Sequence, residues 1–240
     1  MERVLYFVFL WTCVEGKISH FLNSTPQTWS GALAYCRLHY MDLSYVGSQS
    51  DQVSLLQAAG NSSPAGWIGM HRRLDNQSIW YWTWGEDVTY LNWEKGQPSN
   101  SGGIEDACQL LKNGRWNDIY GGSNLPFYCM DISVETEMSW EEALQFCRQN
   151  QSNLPDLRSQ SNLFQVQKVL QLRNVTDAMW VGLRYVRDLW LWMSGDPLGS
   201  SAWPQRDHDW LCPAKRCGAL SKSGGWMSWD CQDRLNFICT

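Results

Sequence analysis

The sequence predicts an α+β protein of two similar domains in tandem, each with two helices, small antiparallel sheets and a long loop region. Two observations support this fold class. Short segments recur at an offset of about 110 residues, and within each copy a helical pattern gives way to strand-like alternation. An offset of this length is that of a whole domain rather than of a solenoid unit. The 240 residues are enough for two small domains.

The recurring segments keep the same order in both copies. They are TWSGALAYCR (28–37) and SWEEALQFCR (139–148), WIGM (67–70) and WVGL (180–183), and FYC (127–129) and FIC (237–239). Between Met130 and Glu137 the first copy passes into the second without a linker rich in Gly, Pro or Ser. We therefore predict one domain over residues 17–130 and a second over 131–240.

Local signals predict the elements within each copy. Ser139 and Glu142 form a capping-box sequence at the start of the first helix of copy two. In copy one, Ser50 or Asp51 is the candidate N-cap of the second helix, and Val53 is expected on its inner side. After WIGM and WVGL the helical period disappears. The WYW and WLW segments that follow alternate as strands do.

The first sixteen residues have the pattern of a secretory signal peptide. Arg3 is the positive region, Val4 to Trp11 is the apolar core, and cleavage after Gly16 is expected. No other apolar run reaches the length that a transmembrane helix needs. We therefore expect a secreted, extracellular protein whose cysteines oxidise. Five sequons for N-glycosylation agree with this expectation: Asn23, Asn61, Asn76, Asn150 and Asn174.

Composition and motifs argue against several classes of function. The formal net charge of -5 offers no general basic surface, so nucleic acid and anionic lipid are poor candidate partners. The sequence has no Gly-x-Ser-x-Gly, no His-Glu-x-x-His and no phosphate-binding loop, so we expect no enzyme. The His71-Arg72-Arg73 run is interpreted as a solvated turn. Asp207-His208-Asp209 lacks further residues that would complete a zinc or catalytic site.

The stretch from Leu91 to Asp118 carries the best candidate site. It places amide, hydroxyl and carboxylate side chains on loops between Trp93 and Trp116. Oxygen ligands of these kinds are what a hard cation such as Ca²⁺ requires. The sequence therefore indicates metal-assisted ligand binding at this stretch rather than catalysis.

Taken together, the paired helix segments, WIGM and WVGL, the GQPSNSGGIED loop, the WND triplet and the closing cysteines resemble the C-type lectin-like domain family. The resemblance covers residues 20–240, and the tandem arrangement is similar to that of the macrophage mannose receptor group. It implies one Ca²⁺ whose coordination is completed by sugar hydroxyls. The implied ligands, in this numbering, are Gln97, Ser99, Glu105, Asn117 and Asp118. It also implies a cis bond before Pro98.

Both copies depart from the pattern of that family. Ser99 stands where the family has Asn or Asp, which leaves only Glu105 and Asp118 with full charge. We therefore expect weak Ca²⁺ binding, with a Kd of roughly 10⁻⁴–10⁻³ M. Gln97 resembles the galactose-preferring pattern. Copy two has His208 in place of the proline and Met227-Ser228 in place of Asn-Asp, so we expect it to lack the site.

The resemblance also implies three disulfides: Cys36–Cys129, Cys147–Cys239 and Cys217–Cys231. The copy-one counterparts of the last pair are Ala107 and Gly121, so both halves of that bridge are missing together. Cys108 and Cys212 are left over. We favour a bridge between them that links the two domains, and an intermolecular bridge or a reactive thiol are the alternatives.

These observations predict a secreted carbohydrate-binding protein in which copy one binds a glycan or glycoprotein with the help of Ca²⁺. The alternative is a module of the same fold that binds a protein ligand without Ca²⁺. Trp82, Trp84 and Trp93 could stack on sugars, but aromatic rings at alternating strand positions are more often buried in a core. We therefore expect them in the core.

Overall fold

The structure is a computed structural model that describes residues 18–60, 62–73, 78–85, 88–198 and 216–240. The predicted signal peptide, the sequons at Asn61 and Asn76, Cys212 and the 207–209 segment lie outside these ranges. The described chain forms two compact units, domain 1 from Ile18 to Ser133 and domain 2 from Val134 to Thr240. The division falls three residues after the predicted boundary, because the last strand of domain 1 continues to Ile132.

Domain 1 combines two helices with seven strands. In chain order the elements are β1 (Ile18–Gln27), α1 (Trp29–His39), β2 (Asp42–Leu43), α2 (Gln49–Ala58), β3 (Gly66–Arg72), β4 (Trp80–Trp82), β5 (Ala107–Leu110), β6 (Trp116–Ile119) and β7 (Leu125–Ile132). The main path through the sheet is β1-β7-β3-β5-β6, with β2 paired to β7 and β4 to β3. All of these pairs are antiparallel except β3 with β7, where Trp67 lies opposite Phe127.

The helices of domain 1 begin at side-chain caps. The Thr28 hydroxyl accepts a hydrogen bond from the Gly31 amide at the start of α1. The N-cap of α2 is Ser48, whose hydroxyl accepts from the Asp51 amide at 3.1 Å. The prediction of Ser50 or Asp51 as this cap is therefore wrong, because the helix begins two residues earlier. The inner face of α2 therefore differs from the predicted one. Gln52 and Leu55 are buried, whereas 44% of the Val53 surface is exposed.

Domain 2 repeats the arrangement with two helices and six strands among its described residues. They are β8 (Glu135–Met138), α3 (Trp140–Gln149), α4 (Gln160–Leu172), β9 (Ala178–Val186), β10 (Leu189–Trp192), β11 (Cys217–Ser221), β12 (Trp226–Trp229) and β13 (Leu235–Phe237). Its sheet path is β12-β11-β9-β13-β8, with β10 paired to β9. The predicted capping box of α3 is confirmed, since Ser139 and Glu142 exchange side-chain to backbone hydrogen bonds.

The repeated tryptophans explain why the two copies fold alike. The indole of Trp29, at the start of α1, donates to the Ile68 carbonyl at 3.0 Å. Its counterpart Trp140 donates to the Val181 carbonyl at 2.9 Å. A second pair of indoles makes a further matching set of bonds, Trp67 to the Gln27 carbonyl and Trp180 to the Met138 carbonyl. Each domain thus fastens its first helix to its central strand, and that strand to the segment before the helix.

The glycine of WIGM and WVGL is required by close backbone contact. A Cβ at Gly69 would lie 2.9 Å from the Leu43 carbonyl oxygen. A Cβ at Gly182 would lie 2.7 Å from the Leu154 carbonyl oxygen. Both distances are shorter than van der Waals contact, so only glycine allows the chain that precedes the second helix to pass over the central strand.

All three disulfides implied by the resemblance are present. Cys36–Cys129 joins the first helix of domain 1 to β7, and Cys147–Cys239 joins the first helix of domain 2 to the segment after β13, with Cα atoms 5.2 and 5.4 Å apart. Cys217–Cys231 joins β11 to the segment after β12. Cys108 is a free and fully buried thiol in the structure. Because Cys212 lies outside the described residues, its bridge to Cys108 stays a prediction.

The described surface bears on two other predictions. Of the sequons in the described ranges, Asn150 and Asn174 are exposed and Asn23 is half-buried. Glycosylation at these positions stays a prediction. Among the described helices, none combines the length and the apolar character that crossing a bilayer would demand.

Candidate functional site

The candidate loop in domain 1 is fastened at its base to β6. The Trp116 amide donates to the Asn92 carbonyl at 2.9 Å, and the Glu94 amide donates to the Trp116 carbonyl at 2.8 Å. On its other side β6 pairs with β5, which places Asp118 opposite Cys108. The two ends of the loop, residues 94–105, are therefore held next to one another by the sheet.

Trp116 anchors this base in the core. Its side chain is fully buried, and its indole donates to the Gln52 side chain of α2 at 2.9 Å. Trp82 and Trp84 are each 1% exposed, so their prediction as core residues is confirmed. Trp93 is half-buried, with its ring centre 6.0 Å from that of Trp116.

Asp118 lies inside the domain rather than on its surface. Burial alternates along β6, so Asp118 points inward like Trp116 and has no exposed surface. Its Oδ1 accepts the Ser99 amide at 2.8 Å, and its Oδ2 accepts the Asn100 amide at 2.8 Å. The carboxylate thus holds the backbone of the loop from beneath.

Glu105 and Gln97 hold the same turn of the loop from its outer side. Glu105 Oε2 accepts the Ser99 hydroxyl at 3.0 Å and the Ser101 amide at 2.6 Å. Gln97 Oε1 accepts the Ser99 amide at 2.8 Å. The bond between Gln97 and Pro98 is cis, as the resemblance implied.

Asn117 completes the group of predicted ligands. Its Nδ2 donates to the Asp118 carbonyl at 2.7 Å. The structure therefore links all five predicted residues in one network of short hydrogen bonds, which we call the loop cluster: Gln97, Ser99, Glu105, Asn117 and Asp118. A role for these residues as metal ligands stays a prediction.

Arg72 contacts the loop cluster directly, although no sequence motif pointed to it. Its Nη2 lies 2.6 Å from Asp118 Oδ2, and its Nε donates to the Glu105 carbonyl at 2.7 Å. The interpretation of Arg72 as part of a solvated turn is wrong. Strand β3 continues through Arg72, whose side chain is only 9% exposed and is paired with a buried carboxylate.

His71 is also partly enclosed. Its ring centre lies 4.5 Å from that of Trp29 and 3.8 Å from that of Tyr81. Burial lowers the pKa of this histidine to about 4, although the nearby Asp106 carboxylate works in the opposite direction. His71 is therefore neutral at physiological pH and adds no charge beside Arg72.

The loop cluster suits Ca²⁺ in the kind of atoms that it offers. Gln97, Ser99, Glu105, Asn117 and Asp118 supply amide, hydroxyl and carboxylate oxygens, and hard cations prefer oxygen ligands. The charge is less favourable, since the guanidinium of Arg72 already neutralises one of the two carboxylates. The residues therefore fit Ca²⁺ in donor type, with a formal charge of about -1 rather than -2 when Arg72 is counted.

The described part of domain 2 does not repeat the cluster. Strand β12 carries Met227 and Ser228 at the positions of Asn117 and Asp118. The segment that aligns with the Gln97–Ser99 turn lies outside the described residues. Glu141 does approach Cys217 and Cys231 closely, but these two cysteines are joined in a disulfide and offer no thiolate to a metal.

Comparison with known proteins agrees with this arrangement of two domains. The family described as the lectin C-type domain matches twice, over residues 25–131 and 136–240. Among curated proteins, the bovine secretory phospholipase A2 receptor is 24% identical over 95% of this chain and 18% of its own length. The mouse C-type mannose receptor 2 is 23% identical over 88% of this chain and 17% of its own length. Rainbow trout (Oncorhynchus mykiss) ladderlectin is 31% identical over 47% of this chain and 62% of its own length.

Solved structures of single domains are also similar. The carbohydrate-recognition domain of cow CD23, solved in the presence of an oligosaccharide, is 28% identical with a TM-score of 0.45 and covers 51% of this chain and 97% of its own. The chain spans less than a fifth of the length of the receptors named above. The two matches to the lectin model cover most of the sequence. The chain therefore belongs to the C-type lectin domain family, with two copies of the domain in tandem.

Proposed function

We propose that this chain is a secreted carbohydrate-binding protein in which domain 1 binds a glycan weakly and with the help of Ca²⁺. The observation that supports this proposal is the convergence of the loop cluster, where Gln97, Glu105 and Asp118 all bond to the backbone of one exposed turn. Membership of a lectin family makes a glycan or glycoprotein the natural ligand class. Three disulfides are typical of proteins that fold in an oxidising compartment.

Within this proposal the residues have distinct roles. Gln97, Glu105, Asn117 and Asp118 would hold the cation, and Ser99 would contribute a weaker hydroxyl oxygen. A bound Ca²⁺ supplies open coordination positions for the hydroxyl groups of a sugar. Asp118 and Glu105 also shape the turn through its backbone amides, so the chain itself orients the surface that meets the glycan.

A second function is favoured by a different observation. The buried pair of Arg72 and Asp118 satisfies the site without a metal, which suits a module that binds a protein ligand independently of Ca²⁺. Three large apolar side chains in the same half of domain 1 are more than half exposed, Leu91, Ile104 and Tyr120. Exposed apolar residues of this size are common in protein-binding surfaces.

A glycan array with the secreted chain separates the two functions. The proposed function predicts weak binding that disappears in chelator. Binding that persists in chelator contradicts the dependence on Ca²⁺, and absence of any glycan binding favours the second function. The variant Glu105→Gln removes one charge of the cluster with little change in shape, and we expect it to abolish the Ca²⁺-dependent signal. Glu94→Gln is the matched control, because Glu94 bonds to the Lys95 amide and to Asn113 outside the loop cluster. Equal loss in both variants would contradict the assignment of the site.

A further inference from the structure

We propose that Arg72 is the internal cation of the loop cluster. Its guanidinium organises Asp118 and the segment of Glu105 in the way that a bound metal would, so the loop keeps its shape without Ca²⁺ and binds Ca²⁺ weakly. This inference deepens the proposed function and rests on it for the identity of the ligand set. It adds a residue that lies outside that set and controls its affinity.

The Arg72 side chain is held in place by contacts with the loop cluster and with Trp80. The residue ends β3, and its side chain reaches both the carboxylate of Asp118 and the backbone of Glu105. Nη2 lies 2.6 Å from Asp118 Oδ2, and Nε lies 2.7 Å from the backbone oxygen of Glu105. The guanidinium carbon lies 4.5 Å from the ring centre of Trp80, which covers it on one side. The side chain is thus fixed by at least three contacts and is not free to swing away from Asp118.

The positive charge of Arg72 competes with a metal ion for the carboxylate of Asp118. Arg72 and Asp118 are 9% and 0% exposed, so water screens their attraction poorly. A divalent ion at the same carboxylate would meet the positive guanidinium at close range. Binding would have to overcome this repulsion or displace Arg72 from an enclosed position. The affinity of such sites for Ca²⁺ falls as the negative charge of the ligands is reduced.

Hydrogen bonds from the loop backbone to Asp118 order the loop. Asp118 accepts the amides of Ser99 and Asn100 in addition to Arg72. A carboxylate has about four positions for hydrogen-bond donors, and donors from the described residues occupy at least three of them. The loop is therefore ordered by groups of the chain itself, and ordering does not depend on an added ion.

The second domain offers an internal comparison. Five residues after the motif tryptophan, domain 1 has Arg72 and domain 2 has Tyr185. Two residues after the later tryptophan, domain 1 has Asp118 and domain 2 has Ser228. The basic and the acidic partner are thus both absent from the copy that lacks the site, as expected if they act as a pair.

Calcium titration of the full secreted chain tests the inference. Ca²⁺ affinity is measured by calorimetry, and thermal unfolding is followed in chelator and in millimolar Ca²⁺. For the wild type we expect weak binding and a Tm that millimolar Ca²⁺ raises only slightly, because a ligand present near its Kd stabilises the folded chain by about 1 kcal/mol or less. For Arg72→Gln we expect a Kd lower by roughly tenfold or more, because the full charge of both carboxylates becomes available. We also expect the Tm of this variant to fall in chelator and to recover in Ca²⁺.

Two further variants separate the effect of the Arg72 charge from that of a local disruption of the fold. Arg115→Gln is the matched control, because Arg115 is an exposed arginine in the same loop region that bonds to Asn92 and not to the loop cluster. It is expected to behave as the wild type. Arg72→Lys keeps the charge and is expected to keep the weak affinity.

Three results would overturn the inference. One is a folded Arg72→Gln that binds Ca²⁺ no more tightly than the wild type, and another is an Arg72→Lys that gains affinity. The third is a wild-type Tm that Ca²⁺ raises by more than mass action at a weak site allows, which needs no variant to fold. A chain that binds no glycan leaves these calcium measurements intact, so failure of the proposed function remains distinguishable.

Discussion

The Cβ atom of Ala107 lies 3.3 Å from the position that a Cβ would take on Gly121. These two residues are the domain 1 counterparts of Cys217 and Cys231, whose Cα atoms lie 5.2 Å apart in a disulfide. The loss of the bridge in domain 1 has therefore left the backbone in a geometry close to that of a bridged pair. Typical disulfides have Cβ atoms about 3.8 Å apart, so a shift of a few tenths of an ångström is enough.

The double substitution Ala107→Cys with Gly121→Cys is predicted to form this bridge. A loop of this length gives a stabilisation of about 3 kcal/mol in the chain-entropy model. Peptide mapping without reduction checks the linkage, and denaturant unfolding with and without reductant measures the gain. The single variant Ala107→Cys is the control and is expected to give no gain. A double variant whose stability does not respond to reductant would contradict the prediction.

His20 makes the stability of domain 1 depend on pH. Its Nδ1 bonds to the Ser44 hydroxyl at 2.9 Å, and its Nε2 has no hydrogen-bond partner among the described residues. Burial lowers its pKa from 6.5 to about 4. The unfolded chain therefore binds the proton more readily than the folded chain. The contribution of neutral His20 to the free energy of unfolding is fully present above pH 6.5. It is lost as the pH falls towards 4, which lowers that free energy by up to about 3 kcal/mol.

Substitution of His20 by Asn is expected to flatten this pH profile, since Asn can keep the bond to Ser44 and does not titrate. Denaturant unfolding at several pH values between 4 and 7 measures the slope. His39→Asn serves as control because His39 is exposed. His71 is partly enclosed and also has a lowered pKa, so part of the slope will remain in the His20 variant. Identical slopes for wild type and His20→Asn would contradict the assignment.

Asp118→Asn tests the buried ion pair. The substitution keeps the shape of the side chain but leaves the guanidinium of Arg72 enclosed without its counter-charge. Breaking a buried pair in this way costs about 3–5 kcal/mol. Denaturant unfolding measures the loss, and Glu94→Gln, at a half-buried carboxylate of the same loop that lies outside the ion pair, is expected to cost far less. If Asp118→Asn is as stable as the wild type, the pair does not hold the loop.

Ser139→Ala tests the capping box of domain 2. Ser139 accepts the Glu142 amide, and Glu142 accepts the Ser139 amide at 3.0 Å. Loss of the N-cap hydroxyl is expected to lower the stability of domain 2 by about 1 kcal/mol. The domain 1 counterpart Thr28→Ala supplies the comparison within one chain. An effect confined to domain 1 signals, or no effect at all, would contradict this role.

The state of Cys108 can be decided by alkylation before and after unfolding. Burial raises the pKa of its thiol well above the usual value, and the Asp118 carboxylate adds to this effect. We therefore expect no labelling of Cys108 in the native chain. Labelling only after unfolding identifies a free thiol, whereas a linked peptide containing Cys212 confirms the proposed bridge. Rapid native labelling of Cys108 would contradict its burial.

Much of the fold could be predicted from local sequence, because the signals involved are short-range. The capping box at Ser139, the strands at WYW and WLW, and the paired cysteines are all confirmed. Strand β1 was missed, since most of its residues are polar or exposed and its second half shows no alternation. Its position follows from antiparallel pairing with β7, more than a hundred residues later in the sequence.

The candidate site was predicted in part for the same reason. The resemblance identified the loop cluster, and the structure brings its residues into contact. Arg72 could not be recognised, because 46 residues separate it from Asp118 and no local pattern records that the two meet. The burial expected at alternate positions of β6 is the one sequence signal that indicates a buried partner for Asp118. An acidic residue on the inner face of a strand needs a partner, and a search for that partner points to the basic residues after WIGM.

The pairing of Arg72 with Asp118 has a consequence for the biosynthesis of the protein. A metal ion reaches a loop from the surrounding solution, at whatever concentration the compartment provides. The guanidinium of Arg72 is part of the polypeptide, so every newly made chain already has one for its loop. Closure of this loop is therefore part of the assembly of the β3, β5 and β6 strands, and the loop has its shape as soon as domain 1 has folded.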